Sequence, residues 1–486
     1  MHYKIPESRN QMMLFPQLDL WIDKENPVRL IDSIIDKIIE NNPDIFSWKG
    51  QSNKGCTCYS PATMNKLLIY CYFNWISGSR RMEKETRRNM ELIWLLGNLQ
   101  PDHWTICQYR RENRKQIKQI AVEFRRFLKS SGYIGGKKVA IDGSKMKAYA
   151  SSDMFTEEKI AKRLDKIDEE IEKYLDNIDE IDNLEDQLQE EKEGKRELQE
   201  KIEKLENNKK KLKKASTLLK TSDKKFVAPN DPDASLMSSH NGKEPCYNIQ
   251  TSVDGKYNII ATAEVSTDEN DIELLEEDYK AINDQLEIEP EEIEADTGYG
   301  NTIQIKEIEK QTQTKCYIPL KQPNSKKKDK ENNIEFKYDE ESDEYVCPQG
   351  KKLKLYQRNK KHRKQTYNRY KCFDCQGCPI RKKCTRSKTG RTIIRNINQK
   401  WIEQYKASLE TKDARDKIKE RKALVEHPFG TIKLMMGKHC FLLTTRQKVQ
   451  IEVDIYSTVY NLKRLFNIEG MDRIREQINA YKWKIA

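Results

Sequence analysis

Apolar positions in the first 130 residues recur at the helical period. Leu30, Ile34, Ile38 and Ile39 fall on one face of a helix, and Met64, Leu67, Leu68 and Cys71 on one face of another. Pro101-Asp102-His103-Trp104-Thr105 punctuates this region, with Asp102 placed to N-cap a helix running through Tyr109 and Arg114. A basic helix behind a tight turn is a helix-turn-helix pattern, one that ordinary helical pairs share. At Lys138 the period changes. Lys138-Val139-Ala140-Ile141 predicts a short strand ending in Asp142-Gly143, and Tyr247 to Val253 and Ile259 to Val265 flank an Asp254-Gly255 hairpin turn. Ile293 to Ala295 leads into Asp296, and Lys315 to Leu320 predicts one more strand. Strands first and helices later predict a mixed α/β core.

Between Ser151 and Thr221 the pattern is different again. Ile160, Leu164, Ile167, Ile171, Tyr174, Ile178 and Ile181 alternate steps of four and three, and Leu198, Ile202, Leu205 and Leu212 resume the pattern in a shifted phase. With Gly194 between the arms, this reads as an antiparallel coiled-coil hairpin. An insertion between strands of one sheet must return to its starting place, which a hairpin does and one straight helix does not.

Composition narrows the class. The 486 residues are 35% charged and 36% hydrophobic, enough for two or three domains with cores of their own. The formal charge is +12, clustered at Arg80-Arg81, Arg87-Arg88, Arg110 to Lys115 and Lys326-Lys327-Lys328, which favours a polyanionic partner. Met1 to Asn10 lacks an apolar signal region, and Leu67 to Ile76 is too short to span a bilayer. A cytoplasmic protein with twelve reduced cysteines and a metal site is the expectation.

The candidate chemistry sits in carboxylates and thiols. Asp142 and Asp296 follow predicted strands, and Glu426 lies in the helical stretch Asp413 to Lys433, whose pattern His427-Pro428-Phe429-Gly430 interrupts. Carboxylates on rigid elements suit two divalent ions about 3.5–4 Å apart, which activate the attacking oxygen and stabilise the leaving one in phosphoryl displacement. With 78 acidic residues in the chain, three chosen ones prove little without the wording around them.

That wording resembles the DDE transposases of bacterial insertion sequences, which have an RNase H-like catalytic core. The matching phrases are Ser79-Arg80-Arg81-Met82-Glu83, Pro101 to Ile106, Ala140 to Ala148, Tyr247 to Asp254, Ala295-Asp296-Thr297-Gly298-Tyr299 and Val425 to Lys433, in the family's order over nearly the whole chain. The resemblance implies that Asp142, Asp296 and Glu426 are catalytic ligands of two Mg²⁺ (or Mn²⁺) ions. It also implies a third motif Tyr-x2-Arg-x3-Glu-x6-Lys. Glu426 and Lys433 fill its last places, while Lys422 (beside Arg421) stands for the arginine and Lys419 for the tyrosine. Lysine lacks arginine's bidentate fork, so these departures weaken the phosphate clamp and leave the metal ligands untouched. Tyr299 is open to two readings, a stacking partner for a flipped base or a packed core tyrosine.

Cys372-x2-Cys375-x2-Cys378-x5-Cys384, with Cys347 upstream, suits a closed tetrahedral structural Zn²⁺ site. Cys347, Cys375, Cys378 and Cys384 are the favoured ligands, and exchanging Cys372 for Cys375 fits nearly as well. An iron–sulfur cluster is the rival, but the last step is five residues, and proline follows the third cysteine instead of the last.

The expected organisation is a helical N-terminal DNA-binding domain (1–133), an RNase H-like core (134–154 and 222–322) and a coiled-coil hairpin (155–221). A zinc-binding basic insertion (323–395) and C-terminal helices carrying the third acid (396–486) complete it. The expected function is DNA recombination by transposition. A homodimer or larger assembly would bind terminal inverted repeats, cleave the element ends and join the 3′ hydroxyl to target DNA, with no membrane partner. The alternatives are a catalytically silent DNA-binding protein of the same fold and a general RNase H-like nuclease.

Overall fold

Capping residues set the helix starts at the front of the chain. Asn26 accepts from the Val28 amide ahead of α1 (Pro27–Glu40), and Ser60 from the Thr63 amide ahead of α2 (Pro61–Phe73), each with proline in the first turn. Then follow α3 (Ser79–Thr86), α4 (Met90–Leu95) and α5 (His103–Glu112), where Asp102 accepts from the Thr105 amide at 2.6 Å. The helix expected to run through Arg114 ends at Asn113, and α6 (Arg114–Ser130) begins anew. This computed structural model describes residues 17–46, 58–150, 154–182, 189–221, 225–239, 242–321, 334–362, 365–437 and 440–483. Cys56 and the lysine run 326–328 lie outside the described residues.

The chain forms two units. The first takes the front of the chain to Glu269, Asp278–Ile288 and the residues from Leu424 on; the second takes Asn270–Glu277 and Glu289–Ala423. An all-helical N-terminal region followed by mixed β-structure is consistent with an RNase H-like fold.

In the first unit, β1 (Lys138–Lys147) runs well past its expected end at Ile141. Next come α7 (Glu157–Asp182) and α8 (Gln189–Thr221), then β2 (Ser235–Ser239), β3 (Gly242–Asp254) and β4 (Ile259–Ser266). β3 is the reason β1 is long: it pairs with it antiparallel from Val139↔Asp254 to Lys147↔Cys246. β2 and β4 share the other edge of β3, one against each half. The β3–β4 turn is Gly255 to Asn258, with Asn258 in the left-handed region (φ 56°) and Asp254 accepting from the Gly136 and Lys256 amides.

α7 and α8 are antiparallel, since Lys220 meets Glu157 and Lys209 meets Asp168. Ile160, Ile167, Leu212 and Ala215 form their buried seam with Val227, and paired hydrogen bonds between Phe155 and Val227 (2.9 and 3.1 Å) close its base. Gly194 lies inside α8, so it does not make the turn; the residues between Asp182 and Gln189 are outside those described.

In the second unit, β5 (Glu292–Glu294) pairs in parallel with β6 (Lys315–Tyr317) through α9 (Thr302–Gln311). A separate antiparallel sheet, ordered β11-β10-β9-β8-β7, holds β7 (Lys337–Asp339), β8 (Glu344–Val346), β9 (Lys352–His362), β10 (Gln365–Lys371) and β11 (Thr392–Asn396). α10 (Gln399–Leu409) follows, and then α11 (Lys412–Met436), whose residues pass from the second unit to the first at Leu424.

The first unit's core is organised by α12 (Arg446–Ile468), buried without a break from Val449 to Leu462. Its polar residues are buried too, and each has work. Gln450 exchanges hydrogen bonds with Val265 N (2.8 Å) and Ala263 O (2.9 Å), and Asn461 with Ile260 N and O (2.9 Å each). Glu452 accepts from the Leu442 and Leu443 amides, and Arg125 donates to Ser457 at 2.7 Å.

Full burial pushes the Glu452 carboxyl up to about 7 against the pull of Arg110. The folded state therefore holds a proton there that the unfolded chain releases near pH 4.5. The stability this gives is complete below that pH and is lost as pH rises through about 7. Glu452→Gln keeps an acceptor for the two amides and removes the titration. Between pH 5 and 8 the parent is expected to lose stability relative to this variant, by at most about 1.4 kcal/mol per pH unit. Parallel thermal-denaturation curves across that range would refute it.

Candidate active site and cysteine cluster

Asp142 stands mid-strand, opposite Thr251, because β3 is long enough to carry β1 five residues beyond it. Its neighbours Val139, Ala140 and Ile141 are buried, while Asp142 itself is half-buried. Side chains two apart on a strand share a face, so Ala140 and Asp142 point the same way. Ala140 packs with Val253 against Val425, the residue before Glu426. Thus the turn of α11 that carries Glu426 lies on the Asp142 face of β1. Glu426 is exposed.

α11 runs unbroken to Met436 with Pro428 inside it, so the expected interruption does not occur. Pro428 removes one backbone bond, which costs about 3 kcal/mol in a helix interior. Burial of Val425, Phe429, Ile432, Met435 and Met436 at helical spacing opposes that cost. Continuity has a geometric consequence. Lys433, seven residues on, returns to the same side as Glu426, and it too is exposed. His427 fastens the proline turn: its Nδ1 lies 2.9 Å from the Tyr460 hydroxyl, which donates to Asn258 O at 2.7 Å. Burial holds this imidazole below its usual range. Nothing in the sequence singled out this anchor.

Asp296 belongs to the second unit. It caps the short turn Thr297–Tyr299, its Oδ1 accepting from the Gly298 amide at 2.6 Å. Gly298 is held close to two acids: a Cβ there would stand 2.7 Å from Asp296 Oδ1 and 3.3 Å from Asp271 Oδ2. Asp271, in a polar loop without periodicity, gave no sequence signal. Tyr299 is wholly buried, so its ring is packed in the core and offers no face to a base. In α11, Arg421 is half-buried and Lys422 and Lys419 are exposed.

Five thiols gather in the second unit. Cys347, Cys372, Cys375, Cys378 and Cys384 line one small cavity with Phe336, Leu353 and Arg391. Two tight turns present them. Gly350 (φ 73°) closes the Cys347 turn, where the Lys351 amide donates to Cys347 Sγ at 3.3 Å, and Gly377 (φ 71°) closes the Cys375–Cys378 turn. Cys372 is the most deeply packed, inside the apolar cluster of Leu353 and Tyr370. Burial and the neighbouring thiols Cys375, Cys378 and Cys347 push the Cys384 thiol up, against the opposing pull of Arg391. Among the described residues, no group of three or more His, Cys, Asp or Glu is arranged so as to hold a metal ion. No described helix is long and apolar enough to cross a membrane.

Residues 346–466 match the family model "Transposase DDE domain", and residues 16–112 match "Transposase domain (DUF772)". The first stretch takes in the five thiols, Glu426 and Lys433; the second takes in α1 to α5. Asp142 and Asp296 lie outside both. No curated protein and no solved structure matches the chain. The two matches support a transposase identity at the level of the superfamily.

The thiol cluster depends on one glycine. Gly390 has φ 107°, and a Cβ there would stand 2.0 Å from the Cys372 carbonyl oxygen. Gly390→Ala is therefore expected to lower the stability of the β7–β11 sheet by more than the roughly 1–3 kcal/mol of backbone strain alone. Limited proteolysis reads this directly: cleavage within 334–396 should accelerate while α1 to α6 stay protected. A cleavage pattern identical to the parent's would count against it.

Proposed function

We propose that this chain is the DNA transposase of an insertion sequence, with Asp142, Asp296 and Glu426 as the ligands of two Mg²⁺ or Mn²⁺ ions. The supporting observation is the packing of Val425, the residue before Glu426, on Ala140 and Val253, which brings that turn of α11 to the face of β1 that carries Asp142. The donor set fits the ions, since all three side chains offer hard carboxylate oxygens. Once bound, such ions supply Lewis acidity and neutralise charge on the attacking and leaving oxygens.

The chain's own residues supply position. Strand β1 and helix α11 hold Asp142 and Glu426 on rigid backbone, and the Gly298 amide fixes one oxygen of Asp296. Lys433, on the Glu426 side of α11, is suited to hold a phosphate of the scissile strand, and Lys422 and Arg421 offer further positive charge without a bidentate fork at the arginine place. The reaction frees a 3′ hydroxyl at each element end and joins it to target DNA. One phosphodiester replaces another, so no ATP is needed. Two ends must be held at once, which calls for a dimer or larger assembly on the inverted repeats.

The thiol-lined cavity is read as a structural Zn²⁺ site, with Cys347, Cys375, Cys378 and Cys384 as ligands and Cys372 as packing. What supports this reading is donor chemistry, since thiolates are the soft ligands zinc takes and these line one cavity, although among the described residues they are not arranged around an ion. A backbone amide donates to Cys347 Sγ. A small lysine-rich sheet with a one-sided core gains folding energy from such an ion.

Asp142→Asn, Asp296→Asn and Glu426→Gln should each reduce Mg²⁺-dependent nicking and joining of a supercoiled plasmid carrying the element ends to background, with DNA affinity close to the parent's. A parent that binds the ends but neither nicks nor joins them is a silent DNA-binding protein. One that cuts any DNA without joining is a general nuclease. Cys378→Ser should release about one zinc per chain, measured by elemental analysis, and lower the melting temperature. Unchanged metal content would remove the zinc assignment.

A further inference from the structure

We propose that the open face of the β7–β11 sheet binds single-stranded DNA. This rests on the reading that the chain acts on DNA, and it names a surface for that partner apart from the acidic residues. β9, β10 and β11 hold eight lysines and arginines and no acidic residue in 23 positions. Two of the eight are engaged elsewhere, Lys352 with Glu344 at 3.0 Å and Arg395 with Glu403 at 3.7 Å.

Register sorts the others. Lys371 stands opposite Lys354 on one side and Thr392 on the other; Arg369 stands opposite Ile394 and Gln357. Opposed residues of an antiparallel pair share a face, and the period of two adds Tyr356 to the same face. The reverse face carries Leu353, Leu355, Tyr370 and Ile393 into the small core. The outer face is thus a patch of Lys354, Arg369 and Lys371 beside Tyr356, Phe373 and Ile394. Among the described residues none of these three cations is paired with a carboxylate.

The apolar members are what exclude a simple solvated surface. Tyr356 is 52% exposed, Phe373 60% and Ile394 57%. The two rings meet edge to face at 6.1 Å, with the Lys371 ammonium 5.1 Å from each centroid. Cations neutralise a phosphate backbone, while exposed rings reward unstacked bases. A duplex hides its base faces and would use only the cations. Charge and aromatic exposure together therefore favour a single strand.

The test uses the full chain in EDTA, so that binding is read without cleavage. Fluorescence anisotropy follows a labelled oligo-dT strand and, separately, a random-sequence duplex of the same length. Tyr356→Ala with Phe373→Ala should weaken single-strand binding by about tenfold or more and leave duplex binding unchanged. Tyr356→Phe should match the parent. Lys354→Gln with Arg369→Gln and Lys371→Gln should reduce the slope of log affinity against log salt by about 2 for the single strand. Unchanged single-strand affinity in the aromatic variant overturns the proposal. Equal losses on strand and duplex make the face a duplex-backbone platform, which also overturns it. So does a shift in sedimentation with DNA binding intact, because the face would then join copies of the chain. A parent lacking metal-dependent cleavage would defeat the transposase reading while leaving this measurement interpretable.

Discussion

The exposed edge of β4 is the constraint on which the first unit depends. β3 covers one edge of that strand; the other would present unpaired amides and carbonyls. A helix has no spare backbone groups to offer, so α12 offers side chains. Gln450 and Asn461 each give both a donor and an acceptor to β4, and Arg446 donates to Val265 O at 2.8 Å. Burying such amides costs free energy unless every hydrogen bond is made, which fixes α12 against the sheet at one position. From there α12 governs its surroundings: Glu452 holds the Leu442–Leu443 backbone after α11, and Tyr460 holds His427 within α11. The place of Val425 over β1 follows from how a strand edge is satisfied.

Much of this was legible from residue order, and what was not has physical reasons. Leu30, Ile34 and Ile38 are buried at the spacing that predicts them, and Asp102 caps where its chemistry says. Local signals failed where a distant partner decides. β1 extends to Lys147 because β3 is there to pair with Gly143 to Lys147, although those residues lack an apolar pattern. Pro428 reads as a breaker, yet the buried row from Val425 to Met436 keeps the helix whole. α12 is the clearest case. Gln450, Glu452, Asp454 and Asn461 look like an exposed face, and only the strand edge and the Arg125 and Arg110 guanidinium groups account for their burial.

The second unit works with fewer resources. Its five-stranded sheet has one apolar face, held by Leu353, Tyr370 and their aromatic neighbours, and its strands are rich in lysine. A core that small stabilises little, since apolar burial contributes about 25 cal/mol per Å². The close approach of Gly390 to the Cys372 carbonyl and the tight turns at Gly350 and Gly377 bring the thiols around one cavity. The same one-sidedness leaves the opposite face free to carry rings and cations.

The two stretches that match transposase models lie far apart in the sequence, yet within the first unit they are in contact. Arg110 of α5 donates to the Tyr72 hydroxyl of α2 at 2.8 Å and is drawn by the buried Glu452 of α12, while Tyr72 packs edge to face on Tyr456 at 5.0 Å. A guanidinium buried this deeply tolerates little slack, because moving its partners away leaves it uncompensated. The N-terminal helices and the C-terminal helix therefore share one polar core. Any displacement of α2 and α5 would reach α12 directly, and through Tyr460 and His427 the turn of α11 beside Glu426. Coupling between those helices and that turn then needs no hinge, only the rigidity of a packed interior.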